Sequence, residues 1–216
     1  MKFAVVLSGC GVYDGAEIHE AVMTLLAVNR HGASYQVFAP DVMQHHVVNH
    51  LTGEIMNESR NVLTESARIA RGRIKPLREY RAENFDGIIF PGGFGVAKNL
   101  CSYAFDGPEM KIDRIVEKAI RETHSAGKPI TALCIAPVLI TRILGDIEVT
   151  VGSEGDTAAD ITTMGGTHLK AGNGEIVVDK KHRIITSPCY MLDASIMDIE
   201  AGASEAVKAM VELCRE

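Results

Sequence analysis

The sequence predicts an α/β fold: a three-layer α/β/α sandwich built around a doubly wound, mostly parallel sheet. Short, almost continuously apolar runs alternate with stretches of helical periodicity from one end of the chain to the other. Such runs are typical of parallel strands buried on both faces, and right-handed connections between them place helices on both sides. The 216 residues, 46% of them hydrophobic, suit one sizeable core, so we expect residues 1–216 to form a single domain.

The strands are predicted from short apolar runs. In chain order these runs are Phe3–Leu7, Tyr35–Ala39, Gly87–Phe90, Ile130–Leu133, Val177–Val178 and Ile184–Ile185. The last two flank Asp179–His182, so we expect them to pair as a hairpin.

Five helices are predicted from apolar residues that recur with helical spacing. They cover about Ala16–His31, Glu58–Arg71, Ile112–Ala126, a stretch that begins at Ile135, and Ala194–Leu213. The first stops at Gly32, a suitable residue for a helix C-terminus. Residues 41–80 are polar and rich in His, Asn and Arg, and we expect an elaboration of the domain there, too short to be a second domain.

Charge and cysteine content exclude several classes of function. The chain has 22 Lys and Arg against 28 Asp and Glu, a net charge of −6, which argues against a nucleic-acid-binding surface. No apolar run approaches the ~18 residues of a membrane span, and the apolar start predicts a strand, not a signal peptide. Five dispersed cysteines without a CxxC pair indicate neither disulfides nor zinc. We therefore expect a cytoplasmic protein without metal or cofactor, and surface positions for His45, His46 and His50.

Cys134 lies at the junction between a predicted strand and the helix that follows it directly. A side chain on such a tight turn projects above the carboxyl end of the sheet, where ligands bind in this class of fold. The amide groups at a helix N-terminus stabilise a thiolate, so the position suits a reactive cysteine. The alternative interpretation is that Cys134 is a small, buried apolar side chain without a reactive role.

The glycine-rich turn Pro91–Gly95 follows another predicted strand. Its backbone N–H groups can face a ligand, so one interpretation is half of an oxyanion hole, which the Ile135 N–H would complete. A phosphate-binding loop is the rival interpretation, although the GxxxxGK[ST] spacing is absent. A tight strand-to-helix turn without function also explains the glycines.

These residues resemble the ThiJ/PfpI superfamily, whose members have a flavodoxin-like, class I glutamine amidotransferase-like fold. The resemblance extends over essentially the whole chain and is closest to the ElbB branch, described as enhancing isoprenoid (lycopene) biosynthesis and credited with glyoxalase activity. Segments that carry it are Ser8–Ala21, Asn49–Glu54, Arg60–Leu63, Pro91–Leu100, Ala132–Pro137 and Ser187–Leu192.

The resemblance implies a role for each residue at the junction. Cys134 would be the nucleophile, Glu20 the carboxyl group beside its sulfur, and the N–H groups of Gly93 and Ile135 the oxyanion donors. Helical periodicity alone places Glu20 beside Thr24, where a solvated carboxylate is unremarkable.

Four further residues are possible auxiliaries in the predicted site. Glu17 competes with Glu20 for the acidic role and also suits the first turn of a helix. Gly92 lies in the glycine-rich turn, and Cys10 follows the first strand as a possible second thiol. His168 is a possible auxiliary acid or base.

Two departures from the sequence patterns of the superfamily argue against two of its known activities. Ile135 follows the cysteine where PfpI-type peptidases have histidine, which argues against proteolysis. Neither His168 nor His182 is followed two residues later by glutamate, so the amidotransferase triad is missing.

The leading prediction, which the resemblance to the ElbB branch implies, is a cofactor-independent glyoxalase that acts on glyoxal or a similar small 2-oxoaldehyde. A redox-sensing protein with an oxidisable Cys134 is the alternative, and an amide hydrolase or deglycase is the third. The resemblance implies a homodimer, and the first helix is apolar nearly all round, which burial inside one chain would also explain. We expect the protein to bind neither nucleic acid nor a membrane.

Overall fold

The computed structural model describes residues 1–216 and contains a seven-stranded sheet. Its strand order is β3-β2-β1-β4-β5-β9-β8, and every neighbouring pair is parallel except β8 and β9. The strands of this sheet are β1 Lys2–Val6, β2 Ser34–Ala39, β3 Ile74–Pro76, β4 Gly87–Phe90, β5 Ile130–Leu133, β8 Val177–Asp179 and β9 Ile184–Ser187. The predicted strands and the predicted hairpin are confirmed.

Seven helices surround the sheet. They are α1 Ile18–Arg30, α2 Val62–Ile69, α3 Tyr103–Asp106, α4 Arg114–Ser125, α5 Pro137–Leu144, α6 Asp156–Thr163 and α7 Ile196–Leu213. Side chains of α1 and α7 pack in one apolar cluster and those of α4 and α5 in another, because successive residues of each buried strand face opposite sides. The predicted three-layer α/β/α sandwich is confirmed.

Several elements differ from the expectations. Residues 74–76 form β3 at the edge of the main sheet, so the polar stretch 41–80 contributes a strand to the core architecture as well as a long loop. A second sheet of two short parallel strands, β6 Glu148–Val149 and β7 Thr167–His168, was not predicted, because two-residue strands leave no periodic pattern. No helix has the length and apolarity that crossing a bilayer requires.

The carboxyl ends of β1, β4, β5 and β9 meet at one edge of the sheet. The Cys134 N–H donates to the Ser187 carbonyl at 2.9 Å, which extends the β5–β9 ladder by one bond beyond the strand. The Glu17 N–H donates to the Gly92 carbonyl at 2.9 Å, which ties the start of α1 to the turn after β4. These bonds bring the start of α1, the glycine-rich turn and the end of β5 together.

Candidate active site

Cys134 occupies a strained backbone position between β5 and α5. Its φ of 58° lies in the left-handed region, which non-glycine residues adopt at a cost of about 1–3 kcal/mol. The helix begins at Pro137, two residues later than predicted, because residues 134–136 form a turn that directs the thiol over the sheet edge. The geometry is that of a nucleophile elbow.

Glu20 lies in the first turn of α1 and is completely buried. Its Oε2 accepts a hydrogen bond from the Gly92 N–H at 2.9 Å, and its Oε1 accepts one from the Tyr190 N–H at 3.3 Å. The expectation that Glu20 could be a solvated carboxylate is wrong. Helical periodicity missed the burial because the covering residues belong to two loops that are distant in sequence.

The carboxyl group of Glu20 and the thiol of Cys134 lie side by side, since a Cβ built on Gly92 would lie 2.6 Å from Glu20 Oε2 and 2.9 Å from Cys134 Sγ. Burial raises the pKa of Glu20 to about 8, with a further contribution from nearby Glu17, while bonds from the Tyr190 and Gly92 amides and the Cys134 thiol oppose the rise. Burial also raises the pKa of the Cys134 thiol well above its usual value, and the Glu20 charge acts in the same direction. The site therefore favours the protonated thiol of Cys134, and not the thiolate that its position at a helix N-terminus suggested.

Gly92 separates the two reactive groups and has no room for a side chain. A Cβ at this position would lie 2.4 Å from Cys134 Cβ and 2.6 Å from Glu20 Oε2, far inside van der Waals contact. The glycine is thus required by the close approach of thiol and carboxyl. Its role is steric, in addition to its bond to Glu20.

Gly93 and Ile135 both offer backbone donors at the site. The Gly93 N–H lowers the pKa of the Cys134 thiol, against the larger effect of burial. Neither the Gly93 nor the Ile135 N–H donates to another backbone carbonyl. Both residues line the cavity that opens above the sulfur, so two donors are available to a ligand atom bound there.

Glu17 combines a structural position with a place in the cavity wall. It is the N-cap of α1, and its Oε2 accepts a hydrogen bond from the Glu20 N–H at 2.7 Å. The same side chain lines the cavity beside Cys134. The expectation that Glu17 serves the first turn of a helix is realised as this cap.

Two of the predicted auxiliary residues do not line the cavity. Cys10 is half-buried in the loop after β1, where burial and the neighbouring Glu65 raise the pKa of its thiol. His168 lies in β7, in the small second sheet, where burial lowers its pKa. The structure therefore does not bring either residue to Cys134.

Sequence reasoning gave no role to Cys189 or Tyr190, yet both lie at the site. Cys189 is buried with a φ of 46°, and its thiol contributes to the raised pKa of the Cys134 thiol. Tyr190 holds Glu20 through its N–H and lines the cavity with its ring. The parallel pairing of β5 with β9 was the available indication, because residues that follow neighbouring parallel strands meet at the same edge.

The cavity above Cys134 has a volume of about 410 Å³. Nine of its twelve lining residues are hydrophobic, and none is Lys, Arg or His. Its walls come from the loop after β1, the turn after β4, the start of α3 and the segment after β9. The thiol therefore opens into a space that a small organic molecule can enter.

Curated relatives cover nearly the full chain. The chain is 47% identical to the human "Glutamine amidotransferase-like class 1 domain-containing protein 3, mitochondrial", with 98% of this chain and 83% of the relative covered. It is 46% identical to the rat "ES1 protein homolog, mitochondrial", over 98% of this chain and 84% of the relative. The expected cytoplasmic location is contradicted by these mitochondrial relatives and is wrong on this comparison.

Solved structures extend the comparison. An isoprenoid biosynthesis protein with an amidotransferase-like domain from Ehrlichia chaffeensis superposes with a TM-score of 0.93 and 38% identity, with 99% of each chain covered. Glyoxalase III from Candida albicans superposes with a TM-score of 0.62 over 97% of each chain at 14% identity, which shows a shared fold. No protein-family model matches the chain. DJ-1beta from Drosophila melanogaster shares the fold at 18% identity, with a TM-score of 0.56. With 47% identity over nearly its whole length to one relative and 38% to a solved structure, the chain belongs to the ES1/ElbB-like branch of the class I glutamine amidotransferase-like proteins.

Proposed function

We propose that the protein is a cofactor-independent glyoxalase that converts glyoxal, or a similar small 2-oxoaldehyde, to a 2-hydroxy acid through Cys134. One observation carries the proposal: a buried thiol lies beside a buried carboxyl group, next to two amide donors that bond to no backbone carbonyl, in the wall of a cavity. A superfamily that includes a glyoxalase III supports the same reaction class.

The first step joins the sulfur to the aldehyde. Ionised Glu20 takes the thiol proton as Cys134 Sγ attacks one aldehyde carbon of glyoxal, and the resulting oxyanion is held by the N–H groups of Gly93 and Ile135. Glu20 then returns the proton to this oxygen, which gives a hemithioacetal. A Glu20 pKa of about 8 suits both directions of transfer near neutral pH.

The second step moves hydrogen between the two carbons. Glu20 removes the proton from the carbon bonded to sulfur, and the neighbouring carbonyl oxygen takes up a proton, which gives an enediol. Glu20 then protonates the carbon that carried this carbonyl while the hydroxyl on the sulfur-bonded carbon loses its proton, so the hemithioacetal becomes a glycolyl thioester. Water then hydrolyses the thioester to glycolate and restores the thiol. The net reaction is glyoxal plus water to glycolic acid, with no external oxidant or reductant.

Product analysis tests the proposal. Incubation with glyoxal, without glutathione or metal, is expected to give stoichiometric glycolate by NMR and a transient acyl adduct on the Cys134 peptide by mass spectrometry. Loss of glyoxal without glycolate, as reaction with surface Lys and Arg would produce, contradicts the proposal. Release of ammonia from glutamine under the same conditions would support the amide hydrolase instead.

The redox-sensing alternative receives less support from the site. Peroxide reacts with thiolates, and the pKa of the Cys134 thiol is raised, not lowered. The isoprenoid link carried by the name of the Ehrlichia protein is taken as indirect, because no cationic residue lines the cavity to hold a diphosphate.

We also propose that two copies of the chain associate through α1. Ile18, Val22 and Leu26 are each 42–43% exposed and form a row at four-residue spacing on the helix. Packing within one chain leaves these three side chains partly exposed, which supports the proposed dimer. A second copy would remove this row from water.

Val22→Glu is expected to convert a dimer into a monomer, because the charge would lose its hydration in a packed apolar interface. Sedimentation equilibrium measures the mass, and Ile55→Glu, a change at an exposed residue of the 41–61 loop, is the matched control. A monomeric wild-type protein, or a dimer that survives Val22→Glu, would contradict the proposed interface.

A further inference from the structure

The cavity is much larger than glyoxal requires. Glyoxal has four non-hydrogen atoms, whereas the cavity has a volume of about 410 Å³. Ligand sites of roughly 300 Å³ and more are typical of larger organic molecules. The cavity that Cys134 lines therefore has room for a second substituent on a 2-oxoaldehyde.

Aromatic rings form a large part of the walls, and their polar groups are already bonded away from the space. The Tyr103 hydroxyl donates to Asp160 Oδ2 at 2.7 Å, and the Tyr190 hydroxyl is paired with His19 Nδ1 at 2.8 Å. Phe94 is 50% exposed although its ring lines the cavity. The rings therefore offer apolar surface that only a ligand would cover.

Charge in the cavity is of one sign. Glu17 contributes a carboxyl group to the wall, and no lining residue is basic. Lys98 lies behind Phe94, with its Nζ 5.1 Å from the ring centroid and donating to the Tyr13 carbonyl at 2.9 Å, so this cation is already engaged. An anionic substituent would find no partner and would be repelled by Glu17.

We infer that the substrate is an uncharged 2-oxoaldehyde with a large apolar substituent, of the aryl or branched-alkyl class. The inference rests on the proposed function, because it names the substrate class for the same thiol. In this arrangement the aldehyde carbon meets Cys134, the aldehyde oxygen faces the free amides, and the substituent on the neighbouring carbonyl fills the space between Phe94, Tyr103 and Tyr190.

Competing aldehydes test the inference. We expect kcat/KM for phenylglyoxal to exceed that for glyoxal by roughly 10- to 100-fold, since each added apolar group in a fitting pocket gives a discrimination of this order. For 4-carboxyphenylglyoxal, which has a similar shape but a negative charge, we expect kcat/KM at least about 10-fold below that for phenylglyoxal. Equal or faster turnover of glyoxal, or of the charged analogue, would overturn the inference.

A filled cavity provides the second arm of the test. Ala104 is exposed and lines the cavity, so Ala104→Trp is expected to lower the ratio of kcat/KM for phenylglyoxal to that for glyoxal by about 10-fold or more. Ala126→Trp, an equal change at an exposed alanine after α4 and away from the cavity, is the control and should keep the ratio. A ratio unaffected by Ala104→Trp would refute the placement of the substituent.

Binding of an unreactive ketone separates the two proposals. Acetophenone, titrated into the wild-type protein and into Ala104→Trp, is expected to bind only the former. If no aldehyde is turned over but acetophenone binds in this way, the glyoxalase proposal fails and the preference of the cavity stands. If glyoxal is turned over but acetophenone does not bind, the substrate class is wrong while the reaction stands.

Discussion

Cys134→Ala is expected to reduce conversion of glyoxal to glycolate by at least about a thousandfold, to the level of buffer and surface amines. The thiol forms the covalent bond through which both hydrogen transfer and hydrolysis proceed, so no step of the proposed reaction survives its removal. The variant keeps the backbone strain at φ 58°, because alanine and cysteine share the same Cβ, and the fold should persist.

Cys214→Ala is the matched control for this experiment. Cys214 is a half-buried thiol at the end of α7, remote from the cavity, and its replacement should leave turnover within about twofold of wild type. Circular dichroism of both variants verifies folding. Glycolate production that persists in Cys134→Ala at the wild-type rate would show that the reaction does not run through this sulfur.

Glu20→Gln is expected to make the free energy of unfolding much less dependent on pH. In the native protein the Glu20 carboxyl holds its proton up to about pH 8, whereas in the unfolded chain it ionises near its usual 4.5. Between these values the native state binds more protons, so wild-type stability falls as pH rises and levels off above about pH 8. At about 1.4 kcal/mol per unit of pKa, the loss is about 5 kcal/mol across this window.

Urea denaturation at pH 5, 7 and 9 measures this difference. Glutamine disturbs the bond from the Tyr190 N–H equally at every pH, so the informative quantity is the slope, not the absolute stability. Glu83→Gln, a change at an exposed carboxylate without an ion-pair partner, is the control and should keep the wild-type slope. Equal slopes for wild type and Glu20→Gln would contradict the burial of an uncharged carboxyl.

The same variant reports on catalysis. Wild-type kcat/KM should rise with pH towards a plateau above about 8, as Glu20 ionises and becomes able to accept the thiol proton. Glu20→Gln should lose this rise and fall by roughly 10²–10⁴-fold, the usual effect of a general acid–base residue. A pH profile unchanged in the variant would assign the proton transfers to another group.

The sheet and the position of Cys134 could be predicted because both depend on local patterns. Continuous apolar runs specify buried parallel strands, and a strand followed within three residues by a helix leaves a short turn on which a side chain must project. These features need no knowledge of which segments are neighbours. The comparison with relatives agrees with the architecture that these patterns predict.

The surroundings of the thiol could not be predicted in the same way. The burial of Glu20 depends on Gly92 and Tyr190, which lie 72 and 170 residues away along the chain. The pKa of Cys134 also depends on this assembly, since desolvation outweighs the helix N-terminus that the local sequence suggested. Periodicity describes one helix at a time and carries no information on what covers its faces.

Glu17 links the integrity of a helix to the polarity of the cavity. The Glu17 carboxyl group caps the start of α1 and also gives the cavity wall beside the thiol its charge. A shorter, uncharged residue at this position would remove that charge, but it would also remove the hydrogen bond to the first turn of α1, which carries Glu20. Among uncharged side chains, only glutamine at position 17 keeps an oxygen that can accept this hydrogen bond at the same distance from the backbone. Attempts to engineer the protein towards anionic aldehydes should therefore begin on α3, where a new basic side chain would disturb no element on which the reacting pair depends.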